Sequence, residues 1–218
     1  MFLFVQQWEI IKGKGGEYTD FVLRKHLPVM EKVGLNVIGG FHVIVGSGPR
    51  VSVVALAHDF LNLQNALESD EFMAVTHELH DYVYNYSNAV LKGTGRVPMS
   101  EYGIEVGTWR FNQYYKLVQG TEKEYTDFLN NEYIPRLMNL GVRIKAEWQV
   151  IVGSGPRILL EGVTPSLMDI AKAIMTDEFR MLRRQMLSEF ASNYSSRIMA
   201  PTGRVEIAFL LGEMTKAL

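Results

Sequence analysis

Hydrophobic positions along this chain change period several times, and they do so in the same order twice. In "LNVIGGFHVIV", Leu35, Val37, Gly39, Phe41 and Val43 alternate with more polar neighbours; Val142, Ile144, Ala146, Trp148 and Val150 repeat the pattern in "VRIKAEWQVIV". A period of two belongs to a strand. "FLFVQQWEI" and "WRFNQYYKLV" are short, rich in aromatic and β-branched side chains, and read as strands too. After each comes a stretch with helical spacing, "GEYTDFVLRKHLPVMEKVG" or "KEYTDFLNNEYIPRLMNLG", closed by Gly34 or Gly141, the residue suited to the left-handed position that ends a helix. "VSVVALA" and "ILLEGV" follow as third strands. Residues 61–91 and 165–198 are expected to be helical, with "RVPM" and "RVEIAFL" as short strands closing each half.

The duplication extends to residue identity. "EYTDF" at 17–21 returns at 124–128, Pro28 as Pro135, "VIVGSGPR" at 43–50 again at 150–157, and "DEF" at 70–72 at 177–179. "NYS" at 85–87 recurs at 193–195 and "TGRV" at 94–97 at 202–205, with the offset one residue longer. A single-residue slip inside the second helical segment accounts for the change. Such order at fixed spacing is the mark of an internal repeat, so residues 1–100 and 101–218 are expected to be two copies of one β-α-β-β-α-β unit. Each would form a four-stranded antiparallel sheet with two helices on one face, and the two bare faces would shield one another. "GSGPR" then falls between two strands, where glycine supplies positive φ and proline fixes the exit. An anion-binding nest completed by Arg50 or Arg157 is the sharper alternative, but no helix follows as in a phosphate loop.

Composition narrows the chemistry. A formal charge of −2 leaves no electrostatic footprint for nucleic acid. With no cysteine there is no disulfide framework, thiolate nucleophile or Cys-ligated metal, which suits a reducing cytoplasm. The opening "MFLFV" is a short apolar run without a basic leader and reads as strand rather than signal peptide. No run of apolar residues is long enough to span a membrane.

Both halves, hence nearly the whole chain, resemble the dimeric α+β barrel superfamily. The strand followed by "GEYTDFVLRKHLPVMEKVG" is similar to the NIPSNAP and EthD-like branches, where a helix carrying a His or Leu just ahead of a Pro follows the first strand. The resemblance implies an α+β fold of tandem ferredoxin-like repeats, a pseudo-twofold barrel within one chain, and a pocket between sheet and helices. Members include cofactor-free monooxygenases, isomerases, cyclases, haem enzymes and proteins of unknown role, so a small-molecule site is implied without its reaction.

Alternation places Phe4, Gln6 and Trp8 on one face of the first strand, matched by Phe111, Gln113 and Tyr115. A glutamine between aromatics is the anomaly: it either bonds to backbone or water, or orients a ligand's polar group in an apolar pocket. With Phe41 and Trp148 from the second strands, Gln6, Trp8, Gln113 and Tyr115 are the candidate ligand-binding residues. His26 lies two residues before Pro28, and its counterpart before Pro135 is Tyr133. An imidazole can move a proton and a phenol can donate to an oxyanion, so these are the catalytic candidates, beside the reading of His26 as a solvated helix residue. In EthD-like relatives a His in this setting points toward the cleft.

The opposite face of the second strand is polar in unequal degree. Asn36, Ile38, Gly40 and His42 correspond to Arg143, Lys145, Glu147 and Gln149, expected to be paired groups at a wet interface between the sheets. In "HELHD", His77, His80 and Asp81 share a helical face at metal-ligand spacing but lack a further ligand, so no metal is expected. All five histidines precede residue 101, leaving no proximal haem ligand in the second half, as the chlorite-dismutase-like branch needs. No cofactor is expected. The leading reading is a small-molecule site for an aromatic or polyketide-like compound, as in a cofactor-free monooxygenase, isomerase or cyclase. The alternative is a non-catalytic binding or scaffold protein acting through outer helices bearing Tyr82, Tyr84 and Tyr86, with room for a homo-oligomer.

Overall fold

A computed structural model describes residues 1–99, 102–105, 107–154 and 157–201. The chain divides into two compact units. The first holds residues 1–41, 48–92 and 151–153; the second holds 42–47, 93–150 and the described residues from 154 on.

The first half runs β1 (Phe2–Ile10), α1 (Gly15–Phe21), a π turn (Val22–His26), α2 (Leu27–Lys32), β2 (Asn36–Val45), β3 (Val51–Ala57), α3 (Phe60–Leu67), α4 (Asp70–Leu79) and β4 (Val83–Gly93). The second runs β5 (Trp109–Leu117), α5 (Glu122–Phe128), a π turn (Leu129–Tyr133), α6 (Ile134–Asn139), β6 (Arg143–Gly153), β7 (Ile158–Thr164), α7 (Leu167–Met175), α8 (Asp177–Gln185), a π turn (Met186–Phe190) and β8 (Ala191–Pro201). The strand orders are β4-β1-β3-β2 and β8-β5-β7-β6. The antiparallel partners of β1 are β3 and β4, and those of β5 are β7 and β8. This is the ferredoxin-like arrangement in each unit, with β1 or β5 at an interior position of its sheet.

Local chemistry explains the helix boundaries. Asp59, Ser69, Ser166 and Thr176 stand in extended backbone and accept from the amides of Asn62, Phe72, Asp169 and Phe179, which starts α3, α4, α7 and α8. Pro28 and Pro135 would clash with the carbonyls of Arg24 and Asn131 in an unbroken α-helix, and each of those residues lies inside a π turn instead. The third π turn, Met186–Phe190, has no counterpart in the first half. Its wider ring holds one residue more, which is where the offset between the halves lengthens.

The second helices are shorter than their sequence pattern suggests. They end at Leu79 and Gln185, the latter with its π turn, and the chain then forms the long strands β4 and β8. "RVPM" is not a strand, and "RVEIAFL" lies outside the described residues. A β-bulge hides the alternation of β4 and β8. On β1, Gln7 pairs with Ser87 and Glu9 with Tyr84, so Asn85 and Tyr86 together oppose Trp8. On β5, Tyr114 pairs with Ser195 and Lys116 with Ser192, so Asn193 and Tyr194 oppose Tyr115. Asn85 and Asn193 take φ of 52° and 53°, the left-handed conformation that asparagine tolerates best among residues with a side chain. The repeated "NYS" is therefore a bulge signature rather than a helix end.

"VIVGSGPR" also has a steric basis. Gly46 and Gly153 have φ of 121° and 116°. A Cβ on Gly46 would lie 2.7 Å from the Ser196 carbonyl oxygen, within the second unit, and one on Gly153 would lie 2.9 Å from that of Asn88, within the first. Only glycine satisfies both demands.

In the second unit one continuous apolar cluster runs from Trp109 and Phe111 through Tyr125, Tyr133 and Leu182 to Ile198. In the first, the apolar interior separates into a cluster around Phe4, Met30 and Phe72 and another around Trp8, Phe21 and Leu79. Among the described residues no helix is long and apolar enough to cross a membrane.

The bulge gives a direct test. Asn85→Gly keeps the left-handed backbone and is expected to change stability by less than about 1 kcal/mol, whereas Asn85→Val should cost about 1–2 kcal/mol. Denaturant unfolding of the two variants measures the difference.

Candidate functional site

Along β1 the side chains of Phe4, Gln6 and Trp8 face the helices. Phe4 belongs to one apolar cluster and Trp8 to the other, so Gln6, fully buried, sits at the seam. An amide there needs partners. Gln6 Nε2 donates to the Tyr86 hydroxyl at 2.8 Å, while Gln6 Oε1 is buried with no hydrogen-bond partner among the described residues. The Asn85 bulge delivers that phenol, and Tyr86 stacks on Trp8 with ring centroids 6.2 Å apart. On the far side Trp8 Nε1 donates to the Tyr18 hydroxyl at 3.0 Å.

His26, at the end of the π turn, is fully buried rather than solvated, and neither ring nitrogen has a partner among the described residues. Its ring stands edge-on to Trp8 at 5.9 Å and tilted to Phe21 at 6.2 Å. Burial lowers its pKa to about 4, so the imidazole is neutral at pH 7 and offers one acceptor and one donor. The hydroxyl of Thr76 on α4 is buried and unpartnered as well. The carbonyl of Thr76 accepts from His80 Nδ1 at 2.7 Å, and the His80 ring lies 5.1 Å from that of Tyr86. Tyr86 thus joins Gln6, Trp8 and the α4 side of the site.

The second unit fills the same positions differently. Tyr133, where the first unit has His26, donates to Gln113 Oε1 at 2.6 Å, and Tyr194, where the first unit has Tyr86, donates to the same oxygen at 2.8 Å. Only Gln113 Nε2 is left without a partner in that amide. Tyr115 stacks on Tyr194, its hydroxyl lies 2.5 Å from that of Tyr125, and Tyr125 donates to Glu147 Oε1 at 2.5 Å. Burial, first among the causes, holds the Tyr115, Tyr125 and Tyr133 phenols well above 10, so all three stay protonated. Arg183, at the position of Thr76, lies over the Tyr194 ring at 5.4 Å.

Sequence alternation misplaced part of this site. On β6, Ile144 pairs with Gly162 and Ala146 with Glu161, so Lys145 is an extra residue and the faces exchange beyond it. Glu147, not Trp148, stands across Leu160 from Gln113. Trp148 lies on the opposite face with its ring edge against Tyr102 at 4.9 Å. Phe41 is buried but belongs to neither cluster flanking Gln6. The charges of β6 find partners in the segment after β4: Arg143 and Lys145 meet Glu105 at 2.6 Å and 3.0 Å, and Glu147 meets Arg96 at 2.6 Å. Tyr82, Tyr84 and Tyr86 follow α4 in a turn and in β4, with Tyr82 stacked on Phe21 at 4.8 Å, so they are not on an outer helix. Among the described residues no group of three His, Cys, Asp or Glu side chains is placed to hold a metal ion. Tyr18, Thr76, Tyr125 and Tyr194 escaped the sequence reading, and Tyr86 was expected on an outer helix instead, although the repeats "EYTDF" and "NYS" contain all four tyrosines.

No protein-family model matches the chain, and no curated protein matches its sequence. Solved structures share its fold. A monooxygenase-like protein of Lactobacillus acidophilus is 9% identical with a TM-score of 0.61, over 92% of this chain and 93% of its own. An anthrone oxidase-like protein is 10% identical with a TM-score of 0.60, over 92% and 90%. A NIPSNAP family protein of Agrobacterium tumefaciens is 20% identical with a TM-score of 0.37, over 44% of this chain and 96% of its own. The chain has the ferredoxin-like α+β fold of these structures.

The pKa of His26 generates a pH prediction. Between its unfolded value near 6.5 and its folded value of about 4, the unfolded chain binds more protons. Stability therefore falls as pH drops through that window, by roughly 3 kcal/mol from this group, and is insensitive to it above and below. His26→Phe should remove that increment and be at least as stable as the natural chain at pH 7, because the imidazole makes no hydrogen bond there. Denaturant unfolding at pH 7 and pH 4 compares the two; His42, shifted in the same direction, cancels in the difference.

Proposed function

We propose that the helix-facing site of the first unit binds a small aromatic or polyketide-like molecule and transfers a proton from it, the chemistry of a cofactor-free monooxygenase, isomerase or cyclase. The observation that carries this reading is His26: a neutral, fully buried imidazole with both nitrogens unpaired, among Trp8, Phe21 and Gln6. Buried polar atoms are ordinarily bonded, and a few convergent unpaired ones among aromatic walls are the usual makeup of a small-molecule site. The unpaired set is Gln6 Oε1, the two His26 nitrogens and the Thr76 hydroxyl. It asks for a ligand hydroxyl that donates and a ligand oxygen that accepts, as a hydroxylated, enolisable aromatic ketone provides.

In the proposed reaction Gln6 Oε1 accepts from a substrate hydroxyl and fixes the ring. The unprotonated nitrogen of His26 takes a proton from an acidified C–H or O–H, leaving an enolate or phenolate beside an imidazolium. The pair forms together, since the new anion raises the affinity of His26 for the proton. Isomerisation or cyclisation then returns the proton to another atom of the same molecule, and oxygenation requires dioxygen as a second substrate. The neighbours of this fold include anthrone oxidase-like and monooxygenase-like proteins, which suits that substrate class. Tyr133 and Gln113 bond to each other, so the second unit's copy serves the core rather than the chemistry. Tyr82 and Tyr86 are half-buried, packed on Phe21 and bonded to Gln6, and of the three tyrosines Tyr84 is the exposed one.

An anthrone and 1-naphthol should raise the melting temperature of the natural chain, by the equivalent of about 2.7 kcal/mol at a hundredfold excess over Kd. His26→Ala and Gln6→Ala should each weaken binding at least about tenfold and abolish turnover followed by absorbance and oxygen uptake, while Tyr133→Phe leaves both intact. Unchanged ligand stabilisation in the two first-unit variants refutes the assignment.

A further inference from the structure

The second unit carries a polar cluster on the sheet face turned away from its helices. Arg110, Asn112 and Tyr114 alternate on β5 with Phe111, Gln113 and Tyr115 and so project from the other side. Arg110 Nη1 meets Glu161 Oε1 of β7 at 2.6 Å, with both side chains almost completely buried. Glu161 stands directly opposite Asn112 in the ladder. At the corresponding positions the first unit has Leu3, Val5 and Val54. The fold is therefore built without these charges in one unit and with them in the other.

The pair already holds a phenol. Tyr102, from the segment between β4 and β5, donates to Glu161 Oε2 at 2.7 Å and accepts from Arg110 Nη1 at 3.0 Å, with its ring edge-on to Trp148 at 4.9 Å. Flanking this arrangement are buried polar atoms without partners among the described residues, Asn112 Oδ1 beside Glu161 and Trp148 Nε1 beside the Tyr102 ring. Asn112 is 6% exposed and Trp148 fully buried, so neither is turned to solvent. One acceptor and one donor remain to be met around a carboxylate and guanidinium that neutralise each other.

We propose that this face of the second unit is a binding site for uncharged hydroxylated aromatic molecules, separate from that at Gln6 and His26, and that Tyr102 is its resident occupant. A ligand phenol takes the place of the Tyr102 hydroxyl between Arg110 and Glu161. A second polar group on the ligand, a hydroxyl or carboxamide, donates to Asn112 Oδ1 or accepts from Trp148 Nε1. Tyr102 competes with such a ligand as a tethered group at high effective concentration, so occupancy of the site requires the Tyr102 side chain to leave it.

The probe is 4-hydroxybenzamide, with benzamide as the control lacking the phenol, titrated by calorimetry and tryptophan fluorescence. Tyr102→Ala should bind it at least about tenfold more tightly than the natural chain does, and at least about tenfold more tightly than it binds benzamide. In the natural chain Asn112→Leu and Trp148→Phe should each weaken binding about fivefold or more, and the gain on Tyr102→Ala should persist when His26→Ala is added to it. The two conservative variants carry the test should Tyr102→Ala fail to fold. The proposal is overturned if the natural chain shows no binding at 10 mM probe, roughly the scale of a tethered competitor. Equal affinity for the two probes in Tyr102→Ala, a gain on Tyr102→Ala that is lost when His26→Ala is added, or binding kept in both Asn112→Leu and Trp148→Phe, also overturns it.

Discussion

A carboxamide buried in the middle of an interior strand constrains everything around it. Gln6 and Gln113 each occupy the helix-facing side of the strand that joins two neighbours in its sheet, where an apolar residue would give the better core. Leaving such a group unbonded costs about 1–3 kcal/mol per atom, so the fold has to bring hydrogen-bonding partners into an otherwise aromatic layer. The strand alongside does so with one inserted residue. Asn85 or Asn193 in the left-handed conformation moves the following tyrosine over the glutamine and stacks it on Trp8 or Tyr115. The bulge, the amide and the aromatic pair form one device, and the rest of each helix layer is arranged around it.

The two units then solve the remaining half of the problem in opposite ways. Tyr133 spans from its π turn to Gln113, and the phenol of Tyr194 reaches the same oxygen, so the second unit has a continuous core around an amide whose oxygen is doubly bonded and whose nitrogen is bare. His26 offers a shorter ring from the equivalent turn, and Gln6 keeps a bare oxygen between two separate apolar clusters. At position 76 a threonine replaces the arginine that covers Tyr194 in the other copy. Two departures in the same direction, at His26 and Thr76, both adding unbonded buried atoms to one unit, are hard to explain by stability alone. The same scaffold shows that a better-bonded solution is available to it.

Much of this architecture was legible in the sequence because its signals are local. The repeat, the order of strands and helices, and the Phe-Gln-Trp face of β1 follow from periodicity and from identities at fixed spacing. The failures have one physical origin, which is that a single extra residue inverts a period-two pattern. In β4 and β8 the bulge at Asn85 and Asn193 broke the alternation, so that "VYNYSNAVL" resembled the end of a helix. In β6 the extra Lys145 exchanged the roles of Glu147 and Trp148. Neither bulge can be recognised before the pairing partner is known. The phenols that complete the sites were missed for a related reason, since Tyr86 and Tyr194 acquire their position only through that pairing.

The buried charges of the second unit add a different kind of constraint. An isolated Arg110 or Glu161 in that sheet would be prohibitively desolvated, and even as a pair they gain little over the leucine and valine found in the first unit. What the pair provides is selectivity for its contents. A carboxylate and a guanidinium held 2.6 Å apart accept a neutral hydroxyl that can donate to one and accept from the other, as the Tyr102 phenol does, and reject an apolar side chain in that place. Glu147 accepts from Thr94 and meets Arg96, and Glu105 meets Arg143 and Lys145, so these described residues after β4 are held by carboxylates as well as by apolar burial. Polar attachment of this sort breaks and reforms at little cost where water or a ligand can substitute for one partner, unlike a hydrophobic seal. The second unit thus pairs a continuous helix-facing core, in which Gln113 Nε2 alone of that amide is bare, with an opposite face held by hydrogen bonds, whereas in the first unit the imidazole of His26 and the hydroxyl of Thr76 add unsatisfied atoms on the helix side.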